Sequence, residues 1–331
     1  MNVLVMGEDS SIKGRPLNTL SILLKKLDCK VYNIFDEDTS NFSFYFNILK
    51  KVNIVIFLDY DGPQEYRVRN YAIAKLLNKK IVRWWVGSDV LFCLEDKFMA
   101  RNAYDLAKFS DFQLAVSHHL VKELESLHIK SQYVPSVLDP LNHNYSKEYD
   151  LSLNLSVLVY LPSSRKVFFK YDLIHEVIKT NPGFHFHIVA DETHSLSSFS
   201  NVTSYGYVED MSIVWNKCNI LLRQTKHDGL PRMALTALQL NKHVIYSWEL
   251  PGCILANTTE TISSALQQIK QSSKKNYCSE TALDKILSPC PHMFFKSHII
   301  NAKYNFSLSK YFWAILFVLK YTLILKFRKN Y

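Results

Sequence analysis

Short apolar runs rich in β-branched residues alternate with longer stretches whose leucines and alanines recur at helical spacing, almost from one end of the chain to the other. NVLVMG, KVYNIF, NIVIFLDY, KKIVRWWV and DFQLAV read as buried strands. Between them lie helical patterns, among them a stretch from Arg15 or Pro16 carrying Leu17, Leu20, Leu23, Leu24 and Leu27, and the stretch EYRVRNYAIAKLLN. Strands that are apolar on both faces need helices above and below them, which the parallel βαβ arrangement supplies. The alternation therefore predicts an α/β fold built on a doubly wound parallel sheet.

The rhythm breaks once, at QYVPSVLDPLNHNYSKEYD, which holds two prolines and a run of polar residues. A second alternation follows: LSVLVYLP, a helix around Tyr171 to Lys179, FHFHIVA, SYGYV, a helix around Asp210 to Asn216, NILLRQ, a helix from Pro231, and HVIYS. At 331 residues the chain exceeds the ~250–300 over which a single core usually grows, so two domains are expected. The expected division is 1–138, a connection over 139–150, 151–290, and a C-terminal tail over 291–331. Two Rossmann-like domains would then face each other across a cleft.

The formal charge of +9 does not point to nucleic acid, because of where it sits. The last acidic residue is Asp284, and eight basic residues follow it, leaving 31 basic against 30 acidic residues before them. The tail SLSKYFWAILFVLKYTLILKFRKNY combines lysines with an apolar and aromatic run from Tyr311 to Leu325 that only Lys320 and Thr322 interrupt. A helical span needs ~20 mostly apolar residues, so this run suits a segment resting on an anionic membrane surface, with a helix docked on the protein or a true span as alternatives. Cys29, Cys93, Cys218, Cys253, Cys278 and Cys290 are scattered without a CxxC pair, which signals neither a disulfide framework nor a zinc site. MNVLVMG reads as a first strand and not as a signal peptide, so a cytoplasmic protein at the inner face of a membrane is expected.

Open parallel sheets bind ligands beyond the carboxyl ends of their strands, which directs attention to the loops after LSVLVY and NILLRQ. The first offers Arg165, Lys166 and Lys170 with Ser163 and Ser164. The second is His227-Asp228-Gly229-Leu230 ahead of Pro231, whose fixed φ suits a first helical position, with Asn241 as a left-handed cap at the far end. Unpaired N–H groups at such a helix start favour phosphate oxygens.

On these residues the second domain resembles the donor-binding domain of GT-B glycosyltransferases, and the whole chain is similar to glycosyltransferase family 4. That family places a Lys five residues after a Gly-Arg pair to hold the donor diphosphate. Arg165 and Lys170 keep this spacing, with Ser164 where Gly is usual. The family's Glu-Gly and, eight residues on, Glu-Ala correspond to Asp228-Gly229 and Thr236-Ala237.

The resemblance implies that Asp228 and His227 lie near the transferred sugar. It also implies that Gly229 and Leu230 meet the phosphates, and that backbone near Tyr207 and Val208 meets the nucleobase. Thr236 falls where the family's carboxylate grips the ribose, and its hydroxyl cannot accept two hydrogen bonds as a carboxylate does, which leaves Glu249 as an alternative acid. In the first domain Gly87-Ser88-Asp89 resembles the acceptor-side loop, with Asp89 as a candidate base or a helix cap.

The activity implied is transfer of a sugar from a nucleoside-diphosphate sugar to a glycan or polyprenyl-linked acceptor in surface-polysaccharide assembly. Retention of configuration would follow, with no metal and no cofactor besides the donor. An inactive scaffold of the same fold and a sugar-nucleotide epimerase are the alternatives. Asp59-Tyr60-Asp61 forms a DxD that also reads as turn chemistry, and His185 and His187 share a strand face without a third metal ligand. GEDSSIKG lacks the glycine pattern of a dinucleotide site.

Overall fold

The structure, a computed structural model, describes residues 1–7, 16–35, 41–58, 65–108, 110–136, 145, 156–272, 276, 279–302 and 307–328. The chain divides into two compact units, Met1–Asp139 with Leu287–Tyr331, and Pro140–Ile286. The first division falls inside the expected connection. The second falls at Leu287 and returns the C-terminal segment to the first unit, where the sequence had suggested a separate tail.

The first unit holds β1 (Asn2–Gly7), α1 (Pro16–Lys26), β2 (Lys30–Phe35), α2 (Phe42–Leu49), β3 (Ile54–Leu58), α3 (Glu65–Leu76), β4 (Lys80–Trp85), α4 (Ser88–Glu95), α5 (Lys97–Ala107), β5 (Phe112–Ala115), α6 (His118–Ser126) and β6 (Gln132–Tyr133). Its six strands are all parallel in the order β2-β1-β3-β4-β5-β6. Every residue of β3 and β4 is buried, as expected of central strands covered on both faces. The order reverses between β1 and β3, and the loops that follow those two strands, including Asp59-Tyr60-Asp61, lie outside the described residues.

The second unit holds β7 (Ser156–Tyr160), α7 (Tyr171–Thr180), β8 (His185–Val189), β9 (Val202–Ser204), α8 (Ser212–Trp215), β10 (Ile220–Arg223), α9 (Arg232–Gln239), β11 (His243–Tyr246), β12 (Ile254–Leu255), α10 (Thr259–Ser272) and α11 (Ser279–Ile286). Its parallel strands run β12-β11-β10-β7-β8-β9, so the order reverses between β7 and β10. Val157, Val159, Phe186, Ile188, Ile220 and Leu222 pack beneath α7 and α10 in its core.

The strand expected at SYGYV lies earlier, at β9, because Gly206 turns the chain with φ 63° and leaves Tyr207 and Val208 in the following loop. Asn241 has the left-handed φ (56°) expected of a cap. Pro231 is the residue before α9 (φ −72°, ψ 117°) and not its first turn, since its extended ψ does not continue a helix. His185 Nε2 pairs with the Thr203 hydroxyl at 2.8 Å and His187 Nδ1 with the Tyr205 hydroxyl at 2.9 Å. Burial first, and then His185 and Lys217, push His187 down to about 4.

From Leu287 the chain forms α12 (Pro291–Phe294), a wider turn over Phe295–Ile300, and α13 (Leu308–Arg328). The buried Lys80 of β4 donates to the carbonyls of Ile299 (2.7 Å) and Ala302 (2.9 Å), and Phe295 packs 5.3 Å from Trp84. Ala314 of α13 is fully buried in the same cluster as Leu4, Val55, Tyr71 and Ala72. The tail is thus a docked part of the first unit. Among the described residues no helix is long and apolar enough to cross a membrane.

Candidate active site

The reversal between β7 and β10 opens a crevice at the carboxyl ends of two adjacent strands, where a ligand can reach the backbone and side chains of both following loops. After β7 the chain turns at Pro162 into a single 3-10 turn, Ser163–Arg165, which leaves Arg165 exposed over the ring of Phe168 (4.0 Å). Lys170 ends this loop at the N-cap of α7 in the left-handed conformation, φ 49°. That backbone state is uncommon for a non-glycine residue. Burial holds the Lys170 ammonium below its ordinary value.

The loop after β10 starts from Arg223, a residue the sequence hides as the end of an apolar strand. In the register of the sheet Arg223 stands opposite Tyr246 of β11, one step past the Leu222–Val159 pair on the β7 side. Its Nε donates to Asp228 Oδ2 at 2.7 Å, and its guanidinium lies 5.6 Å from the ring of the buried Phe169. Phe168 and Phe169 therefore carry a guanidinium each, Arg165 on the first and Arg223 on the second.

Asp228 uses its other oxygen, Oδ1, to accept from its neighbour Gly229 N at 3.0 Å. Burial works against the Arg223 charge, but the adjacent Asp228 more than offsets this and holds Arg223 above its ordinary value. Burial, and then the same carboxylate, raise the Tyr246 phenol well above its usual range.

The loop itself is tied on several sides. Lys226 N donates to Phe168 O (2.8 Å), Thr225 N to Ser247 Oγ (3.1 Å), and Gln224 Nε2 to Ala256 O (2.9 Å). His227 is buried with its ring edge-on to Trp248 at 5.7 Å. Gly229 and Leu230 are buried too, so their contribution to any ligand is their backbone, next to the start of α9.

A second unread residue fixes the opposite wall. Asp191, fully buried after β8, accepts from the hydroxyls of Ser163 (2.9 Å), Thr193 (2.7 Å) and Ser195 (2.7 Å) and from Ser195 N (2.7 Å). Its burial alone would raise the carboxyl, and these hydrogen bonds turn the balance to below the usual range. Ser163 is thereby committed to holding the β7 and β8 loops together.

Through Phe168 and Phe169 the structure links Arg165 to the Arg223–Asp228 pair, with Lys170 in the loop of the first and Gly229 in the loop of the second. Tyr207, 78% exposed, and the half-buried Val208 lie in the loop after β9 at the sheet edge. Thr236 is half-buried on α9, and Glu249 is exposed in the loop after β11.

In the first unit, Gly87 adopts φ 145°, ψ −84° ahead of α4, with Ser88 as its first residue. Asp89 is buried. Its Oδ2 takes Arg83 Nη2 at 2.7 Å, while its Oδ1 takes Gly87 N at 2.8 Å and Val90 N at 3.0 Å. Arg83 in turn stacks on Trp85 (4.2 Å) and donates to Phe57 O (3.1 Å). With both oxygens engaged, Asp89 anchors this turn, which fits the cap or turn alternative.

No protein-family model and no curated protein matches the sequence. Solved structures do match over nearly the whole chain. Anabaena HepE, crystallised with UDP and glucose, is 11% identical with a TM-score of 0.64, over 90% of this chain and 98% of that one. Sucrose-phosphate synthase of Thermosynechococcus elongatus is 9% identical with a TM-score of 0.66, over 98% and 99%. A candidate UDP-N-acetylglucosamine 2-epimerase of Listeria monocytogenes is 11% identical with a TM-score of 0.50, over 91% and 97%. The fold is GT-B.

Proposed function

We propose that this chain is a glycosyltransferase that takes its sugar from a nucleoside-diphosphate sugar, with a UDP-sugar as the first donor to test. The observation that carries the reading is the cationic crevice at the β7–β10 switch. There Arg165 and Arg223 rest on one aromatic pair, Lys170 lies in the same loop as Arg165, and Asp228 and the start of α9 complete the rim. Breaking the bond from the anomeric carbon to the diphosphate leaves negative charge on the departing phosphate. Fixed cations and helix N–H groups placed where that charge grows lower the barrier without reorganising. These protein groups would serve in place of a metal ion.

Within that scheme Asp228 contacts the sugar, its carboxylate aimed by the hydrogen bond from Arg223. Buried His227 forms the floor beside it. Tyr207 is placed to stack on the nucleobase, and Glu249 supplies the ribose with the carboxylate that Thr236 lacks. The proposed acceptor is a glycan or polyprenyl-linked glycan of surface-polysaccharide assembly, as family 4 membership would imply, with the anomeric configuration retained.

Thermal stabilisation by nucleoside diphosphates tests the donor site. A ligand at a hundred times its Kd adds about 2.7 kcal/mol, and the gain should vanish in Arg165→Ala/Lys170→Ala. Absence of any shift with UDP, GDP, ADP or dTDP would overturn the donor assignment in favour of an inactive scaffold. Conversion of a sugar nucleotide with no acceptor present would instead establish an epimerase.

A further inference from the structure

Among its described side chains, α13 is held to the first unit along the side that carries Lys310, Ala314 and Val318. Ala314 sits in the core with Val318 packed beside it, and Lys310 Nζ reaches Asp111 Oδ1 at 2.9 Å, the atom that Lys75 Nζ also meets at 2.9 Å. The other side presents Leu308, Phe312, Ile315, Leu316 and Leu319, between 36% and 74% exposed. At 3.6 residues per turn these five fall within an arc of about 100°. Because the opposite side is anchored, the helix cannot roll to bury this stripe.

Beside the stripe, Lys108 Nζ lies 4.3 Å from the ring centre of Tyr104 and 4.8 Å from that of Trp313. Both rings are exposed, and Lys108 also pairs with Asp105 at 3.0 Å. In the sequence the tail lysines do not share a helical face. The structure removes Lys310 from the question, since it serves the docking contact with Asp111.

We propose that this face of the first unit seats on an anionic bilayer, with the α13 stripe at the acyl boundary and the Tyr104–Lys108–Trp313 cluster at headgroup level. Exposed aromatics with a lysine between them suit the polar–apolar boundary of a membrane. Charge selects the partner: after Asp284 the chain has seven basic residues besides Lys310 and no acidic one, which attracts anionic lipid.

The full chain should co-sediment with vesicles of phosphatidylcholine and phosphatidylglycerol, bind weakly to phosphatidylcholine alone, and release as salt is raised. Phe312→Ser/Leu316→Ser/Leu319→Ser should lower the partition at least ~10-fold. These point changes are preferable to deleting α13, which would strip the cover that Ala314 gives the core. Hydrogen exchange in β1 and β3 checks that the variant is folded. Separately, Lys326→Gln/Arg328→Gln/Lys329→Gln should reduce the preference for anionic vesicles.

Failure of the wild type to bind anionic vesicles would overturn the proposal, as would undiminished binding by the folded triple-serine variant. A dimer that those serines abolish, with no vesicle binding, would assign the stripe to self-association instead.

Discussion

Arg223 and Asp228 should behave as one unit, and a double-mutant cycle measures how strongly. Their N–O distance is 2.7 Å and their side chains are 12% and 14% exposed. With charge centres ~4 Å apart and an effective dielectric of ~20, the attraction is ~4 kcal/mol, and desolvation of both ions takes back a large share. A net coupling of ~1–3 kcal/mol is expected.

Arg223→Met keeps most of the side-chain volume but leaves Asp228 partly buried beside the Tyr246 phenol without its counter-ion, costing ~3 kcal/mol. Asp228→Asn leaves the guanidinium uncompensated. The double variant should cost clearly less than the two single changes together. Hydrogen exchange at the amides of β10 and α9 reports opening of this unit and gives the four free energies. Additivity within ~0.5 kcal/mol would refute a coupled pair, whatever the single values. Arg223→Lys keeps the charge without the planar fork, and should recover only part of the stability and little of the nucleotide affinity.

Two pH dependences follow from lysines whose charge is disfavoured by partial or full burial. Burial depresses Lys170 in the free protein and a bound diphosphate raises it. The complex then holds the extra proton, so nucleotide affinity is full below the free-state value and falls as pH rises through it. Lys170→Arg should flatten the curve, and a wild-type affinity independent of pH would exclude Lys170 from the phosphate site. Lys242, which donates to the Cys218 carbonyl, is pushed down to about 8 chiefly by burial. Above about 8 the folded chain sheds a proton that the unfolded chain keeps up to the ordinary lysine value. Stability of the wild type should therefore rise relative to Lys242→Met across that window, by at most ~3 kcal/mol. A constant difference in urea midpoints between pH 7 and 10 would count against it.

Much of the fold was legible because its signals are local. Apolar runs bounded by polar turns marked the central strands, and the 139–150 break marked the boundary after Asp139. Asp89 was left between two readings because an Asp after a strand looks the same whether it faces solvent or closes a buried turn. Only its neighbour Arg83, six residues earlier on β4, decides between the two. Asp191 was not read because, although Thr193 and Ser195 lie close to it in sequence, the Ser163 hydroxyl meets it only once β7 and β8 lie side by side.

The sequence by itself determined that this chain alternates strand and helix in two α/β units and which loops carry its polar chemistry. Periodicity and turn residues act within a few positions of each other. The tertiary structure alone decided that β10 lies against β7, so that Arg223, paired with Asp228 five residues on, meets Phe169 next to Arg165. It also decided that α13 docks through Ala314 and leaves Phe312, Leu316 and Leu319 exposed. The first depends on strand order and the second on contacts such as Lys80 with the Ile299 carbonyl, 219 residues apart, which no local pattern encodes.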